Sequence, residues 1–195
     1  MIYGIVLAAG MGRRLGIPKG LATLEGRSFL DRAIRCFRDV PCEVLVVVNS
    51  EIAARLPAPV KGEERIMNLD PDHESGMFGS VRLGVARARA LGANGVVLLP
   101  VDHPLVLSAD VRAVADEVRQ GAAVAVATYR SGRGHPVGLS SGVMEEVLAA
   151  PRAGTLKDIV RSDPGRVIDV PGSRGVIEGV NTREDLARVS KLTFR

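Results

Sequence analysis

Four short runs of almost uninterrupted aliphatic residues set the strongest limit on how this chain can fold: Ile2–Leu7, Val44–Val48, Val96–Leu99 and Val124–Ala127. Each is too short for a buried helix and lacks the apolar–polar alternation of a half-exposed strand. Each therefore predicts a strand covered on both faces. Amphipathic patterns of helical period lie between them. Ser28 is placed to cap a helix carrying Phe29, Ala33, Ile34 and Phe37 on one face, and Ser80 to cap one with Val81, Val85, Ala88 and Leu91. Ser108 opens a third through Val111, Val114, Ala115 and Val118, and Thr182 with Asp185 has the form of a capping box before a last helix. Strands alternating with helices imply an α/β domain of three layers, a mostly parallel twisted sheet with helices on both faces.

At 195 residues and 46% hydrophobic content, the chain fits one such domain spanning 1–195. The most loop-like stretch, Leu56–Glu64, is too short to separate two. Aromatic residues make up 3% of the chain and Trp is absent, which argues against stacking on nucleic-acid bases. The net charge of +4 rests on four lysines and 22 arginines dispersed along the chain, not on a clustered basic strip. A small anionic ligand suits that distribution; nucleic acid does not. Cys36 and Cys42 cannot form a disulfide framework and are not spaced as CxxC, so they read as buried thiols in a reducing compartment. The opening MIYGIVLAAG has no basic leader, and its apolar run is too short to cross a bilayer. The expectation is a soluble cytoplasmic protein with no membrane partner, a monomer or small homo-oligomer.

In open α/β sheets, ligands bind outside the carboxyl ends of the strands. The first such end reads Leu7-Ala8-Ala9-Gly10-Met11-Gly12-Arg13-Arg14-Leu15-Gly16-Ile17-Pro18-Lys19. Small residues let backbone amides approach a ligand, and three cations follow within a few residues, a combination suited to a polyphosphate. It is not a Walker A loop, because no GK[ST] follows. It is not a GxGxxG fingerprint either, because Leu15 stands at the third glycine.

LAAGxGxRxG followed by PK resembles the signature of nucleotidyltransferases that activate sugars and cofactors with a nucleoside triphosphate. The short length and later motifs resemble the MobA/MocA-like branch, which transfers CMP or GMP to molybdopterin. The resemblance implies a Rossmann-like nucleotidyltransferase fold in which Leu7, Ala8, Ala9, Gly10, Gly12, Arg13, Arg14 and Lys19 hold the nucleotide. It also makes Arg14 and Lys19 catalytic, gripping the triphosphate as pyrophosphate leaves. Met11 departs from the pattern, since relatives often carry a basic residue there.

The later strand ends extend the resemblance. Asn49 follows a strand and reads as a turn residue or helix cap; the family places an Asn near the nucleotide here. Asp70–Ser80 resembles the family's GMxxSVRxG segment, which assigns Asp70, Gly76, Gly79 and Ser80 to nucleotide binding, with Ser80 also read as a helix N-cap. Asp102, in Pro100-Val101-Asp102-His103-Pro104, is an acid at a strand end, suited to hold Mg²⁺ against phosphate charge. It matches the family's DxP motif, where the Asp binds the catalytic metal. Asn181, in Asn181-Thr182-Arg183-Glu184-Asp185, resembles the NTPED-type motif whose first residue completes the metal site.

Arg130–Pro136 reads as a basic loop, and its Gly134-His135-Pro136 resembles a GHP that faces the acceptor. His103, Arg133 and His135 become acceptor-binding candidates, although His135 equally reads as a surface histidine. LAAG and GHP resemble the cytidylyl-transferring branch, whereas Asn181 in place of Asp resembles the guanylyl branch. CTP is favoured as substrate and GTP stays open. The expected activity is Mg²⁺-dependent transfer of NMP from an NTP to a phosphorylated acceptor such as molybdopterin. Sugar-1-phosphate nucleotidyl transfer, or a non-catalytic nucleotide-binding domain, are the alternatives.

Overall fold

The computed structural model describes residues 1–56, 63–69 and 76–192. Seven strands form one sheet in the order β5-β4-β1-β6-β8-β7-β9: β1 Ile2–Leu7, β4 Glu43–Val48, β5 Glu63–Met67, β6 Gly95–Pro100, β7 Val124–Tyr129, β8 Gly132–Ser140 and β9 Val167–Pro171. β2 (Thr23–Leu24) and β3 (Arg27–Ser28) make a separate small hairpin. Within the large sheet only β8 runs against its neighbours, β6 and β7; the other pairs are parallel. Among the described residues, six α-helices connect the strands and a seventh follows the last one: α1 Phe29–Cys36, α2 Ser50–Ala53, α3 Gly76–Ala90, α4 Ser108–Arg119, α5 Ser141–Ala149, α6 Leu156–Ser162 and α7 Arg183–Ser190.

The three-layer expectation holds because β1 buries both faces. Ile2 and Val6 pack on one side with Phe29 and Leu30 of α1 and Val111 and Val114 of α4. Tyr3, Ile5 and Leu7 pack on the other with Val81 and Val85 of α3 and Val143 and Met144 of α5. Leu98 and Leu99 are fully buried on opposite faces of β6. Truncating either to Ala is expected to cost about 2–5 kcal/mol.

All four aliphatic runs are strands, each within two residues of the predicted bounds. Ser28 caps α1 by accepting from Asp31 N–H, and Thr182 and Asp185 form the predicted capping box. Two readings need correction, Ser80 as a helix cap and Arg130–Pro136 as a loop, whereas Ser108 opens its helix as expected. Ser80 is not an N-cap: α3 begins at Gly76, and Ser80 sits inside it, buried, accepting a hydrogen bond from Asn68 Nδ2 at 3.0 Å. Ser108 is the first helical residue of α4, and the Asp110 carboxylate accepts from the N–H of Leu107 at the cap position.

Gly132–Pro136 is not a loop but the start of β8. Its register against β7 shifts between Val126↔Val137 and Thr128↔Arg133, so β8 bulges at residues 134–136, where its pairing with β6 has already ended. The bulge lets Pro136 sit in an interior strand without removing a ladder hydrogen bond. Within Leu56–Glu64, Glu63 and Glu64 open the parallel edge strand β5; residues 57–62 lie outside the described residues.

Candidate active site

The chain passes from β1 to β4 on one side and later returns to β6 on the other, so connectivity reverses at β1. The carboxyl ends at this switch point, Leu7 and Pro100, are paired neighbours. The loop after β1 is held at both ends: Ala8 N–H donates to Val47 O at 2.8 Å, and Lys19 N–H to Gly10 O at 3.3 Å. Gly12 has φ +63°, and a Cβ there would lie 1.8 Å from the Ile17 carbonyl oxygen, so no side chain fits. Gly10 differs: a Cβ would meet only the Lys19 Cδ, at 3.9 Å, leaving open space over the backbone.

Asn49 is buried and its amide is engaged inside the protein. Oδ1 accepts from Ile52 N–H at 2.8 Å, capping α2, and Nδ2 donates to Ala9 O at 2.9 Å. Its effect on the site is to fix the Ala9 carbonyl.

Three residues far apart in sequence converge at this switch point. The Lys19 ammonium donates to Asp102 Oδ2 at 2.6 Å and to Asn181 Oδ1 at 2.7 Å. Asp102 follows β6 directly, and its backbone carbonyl accepts from Val180 N–H at 2.8 Å, which delivers the next residue, Asn181, to the pair. Asp185 Oδ2 accepts from Asn181 N–H and Thr182 N–H, so the cap of α7 fixes Asn181 from the other side. The Lys19 and Asp102 side chains are 17% and 11% exposed, which weakens solvent screening of their attraction.

Asp102 Oδ1 is buried and has no hydrogen-bond partner among the described residues. One carboxylate with a free buried oxygen and one amide oxygen form a hard-oxygen donor set. That set suits a small divalent cation that draws its other ligands from phosphate and water. No group of three His, Cys, Asp or Glu side chains among the described residues could cage a metal alone.

Two cavities meet here. The smaller, about 100 Å³, is lined by Leu7, Ala9, Gly10, Lys19, Ser80 and Asp102, among others. The larger, about 810 Å³, shares Leu7, Gly76 and Met77 with it and extends past His103, Arg133 and His135 toward α6. The two histidine rings stand edge to face with centroids 4.7 Å apart. Each has a buried Nδ1 with no partner among the described residues. Burial, helped by the adjacent His103 ring, pulls His135 down to about 3; burial also lowers His103, against the opposing pull of Asp102. Gly134 explains the approach of this strand: a Cβ would lie 1.9 Å from Val176 O. His135 is half-buried with its Nδ1 covered, and it lines the larger cavity instead of standing free on the surface.

Lys19, Asp102 and Asn181 are therefore brought together, with Leu7, Ala9, Gly10, Gly76 and Ser80 around the same small cavity. Ala8 is turned inward, and Gly79 lies in the first turn of α3. Arg13 and Arg14 are exposed on the loop and line neither cavity. Arg133 lines the larger one, but its guanidinium is forked onto Asp169 at 2.5 and 3.0 Å. Asp70 lies outside the described residues. The sequence reading missed the α6 wall of the larger cavity, including Lys157 and Arg161. Their only signal was a four-residue spacing on a short helix.

A nucleotide-binding α/β fold with an acid and a lysine at the switch point is the class this geometry defines. The profile of the MobA-like NTP transferase domain matches residues 4–167, and the chain belongs to that family of nucleotidyltransferases. It is 30% identical over 192 residues to the molybdenum cofactor guanylyltransferase of Acidiphilium cryptum (strain JF-5), covering 95% of this chain and 92% of that protein. It is 32% identical over 110 residues to the purine catabolism protein PucB of Bacillus subtilis (strain 168); this match takes in 53% of the chain and 54%, about half, of that relative. Rv0371c of Mycobacterium tuberculosis H37Rv superposes with a TM-score of 0.79 at 27% identity over 97% of each chain. Its structure in complex with manganese gives 0.75 at 25% identity, over 97% and 98% of the two chains. No helix among the described residues is long and apolar enough to cross a membrane.

Proposed function

We propose that this chain transfers a nucleoside monophosphate from an NTP to a phosphorylated acceptor, with molybdopterin as the acceptor and pyrophosphate as the second product. The observation that carries the reading is the bridge of the Lys19 ammonium between Asp102 and Asn181 at 2.6 and 2.7 Å. The NTP phosphates occupy the smaller cavity, over the open backbone at Gly10, and Lys19 turns from Asp102 onto the triphosphate. Arg14, exposed and without a partner among the described residues, closes on the same phosphates. Asp102 and Asn181, released by Lys19, hold a divalent cation, Mg²⁺ by the hardness of their oxygens and by analogy with the manganese complex of Rv0371c. That ion, when bound, neutralises phosphate charge so that two anions can meet.

The remaining work is positional. The acceptor enters the larger cavity past the neutral rings of His103 and His135, and its phosphate is oriented in line with the bond to pyrophosphate. The base is addressed at the α3 end, where Gly76 and Ser80 line the smaller cavity. The relative from Acidiphilium cryptum is a guanylyltransferase, which puts GTP beside the CTP favoured by the LAAG and GHP motifs.

The test is pyrophosphate release with each NTP, Mg²⁺ and molybdopterin. Asp102→Ala is expected to remove at least about 99% of turnover, roughly the loss seen when one electrostatic catalytic group is deleted, without unfolding the chain. Full activity in that variant overturns the metal assignment, and no turnover with any NTP overturns the acceptor.

A further inference from the structure

Charge partners divide the cations that line the larger cavity. Arg133 is neutralised by Asp169. Lys157 and Arg161, one turn apart on α6, have no hydrogen bond or ion pair among the described residues. Several exposed arginines elsewhere have found acids, among them Arg87 with Glu64, Arg89 with Glu145 and Arg119 with Asp116. The one acid within α6, Asp158, is tied to the helix cap through Thr155. No Asp or Glu among the described residues lines the cavity.

The face of α6 that looks inward is set by its spacing. Leu156, Lys157, Val160 and Arg161 line the cavity, whereas Asp158, Ile159 and Ser162 do not. Opposite them the wall is apolar, with Leu98, Val126 and Val137 from the sheet. Two like charges a turn apart weaken a helix, and no acid among the described residues pairs with either of them. An apolar chamber with one uncompensated cationic wall is built for an amphipathic anion.

We propose that Lys157 and Arg161 bind an anionic group of the acceptor other than its reacting phosphate. The smaller cavity holds Lys19 and Asp102 and no residue of α6, so the two negative groups occupy different ends of the cleft. The enzyme then selects acceptors with an apolar body and a second negative charge remote from the reacting end. This deepens the transferase reading above and rests on it for the word acceptor, but the chemistry of the cavity can be tested without it.

The first arm is a fluorescence titration with 8-anilinonaphthalene-1-sulfonate and its neutral counterpart N-phenyl-1-naphthylamine. Both residues are exposed, so the substitutions are expected to leave the fold intact. The double variant Lys157→Ala/Arg161→Ala should raise the Kd for the sulfonate about tenfold and leave the neutral probe unchanged, while Lys157→Arg/Arg161→Lys keeps sulfonate binding. Equal weakening of both probes, or no change in either, overturns the proposal.

The second arm uses molybdopterin, NTP and Mg²⁺. The double Ala variant should raise KM for molybdopterin about tenfold, with kcat and the KM for NTP within about twofold of the parent. A fall in kcat at unchanged acceptor KM overturns the proposal. If the parent protein does not turn over molybdopterin while the probe selectivity holds, the acceptor named above falls and the anionic wall stands.

Discussion

Gly10 and Gly12 stand two residues apart in one loop, and the space around them gives them different jobs. At Gly12 a methyl group would strike the Ile17 carbonyl, so Gly12→Ala should cost about 2 kcal/mol or more of stability and lower Tm. At Gly10 the same methyl meets only the Lys19 Cδ, at an ordinary contact distance of 3.9 Å, so Gly10→Ala should leave Tm unchanged and weaken NTP binding by calorimetry. Equal stability losses in both would remove the distinction. Lys19 permits a sharper comparison. Its ammonium bridges Asp102 Oδ2 and Asn181 Oδ1, on the two side chains assigned to the divalent ion, so it competes with the ion for them until phosphate draws it away. Lys19→Met is expected to tighten Mn²⁺ binding in the absence of nucleotide by at least about fivefold in an EPR titration, and to weaken NTP binding in parallel. Weaker Mn²⁺ binding in that variant would exclude the competition.

Among the elements, legibility followed burial. The aliphatic runs of β1, β4, β6 and β7 could be read because two-sided burial leaves no polar alternation to misread. β8 could not: Gly132, Gly134, Pro136 and Gly138 signal a turn to any local rule, and only the bulge at 134–136 reconciles them with a strand between β6 and β7. Ser80 misled for a related reason. It had the right residue type for a cap, but its partner is Asn68, twelve positions away, and local sequence does not encode that contact. The site was legible where a motif carried it: Lys19, Asp102 and Asn181 were all named and all meet. The α6 wall was not, because cavity lining and missing charge partners exist only in three dimensions. The α7 cap deserves a direct test, since it holds both a helix and Asn181. Thr182→Ala should cost about 1 kcal/mol by urea unfolding.

For the molecule as a whole, the half-buried histidine pair, each ring with its Nδ1 covered, predicts a pH dependence with a definite sign. His135 titrates in the fold at about 3, against an ordinary 6.5, so the unfolded chain takes the proton first. Its contribution to stability is full above pH 6.5 and is lost as pH falls toward 3, at about 1.4 kcal/mol per pH unit. His103, also lowered, acts in the same direction. Asp169 and Glu146, held down by hydrogen bonds from Arg133 and Arg166, add their losses only in the more acidic carboxylate range. Urea midpoints between pH 6.5 and 5 therefore isolate the histidines. His135→Gln should flatten that slope, and an unchanged slope would show that the ring is not buried neutral.

The single reversed strand has a consequence for how such a scaffold diversifies. Because β8 runs backward, it meets the cleft with its beginning, joined to β7 by a hairpin tip at residues 130–131, where Arg130 adopts φ +54°. Residues added at that tip would reshape the rim of the chamber while the parallel strands β1 and β6, which lead into Gly10 and Asp102, kept their alignment. One half of the cleft can thus be retailored to new molecules by short insertions, with the phosphate-handling half inherited intact.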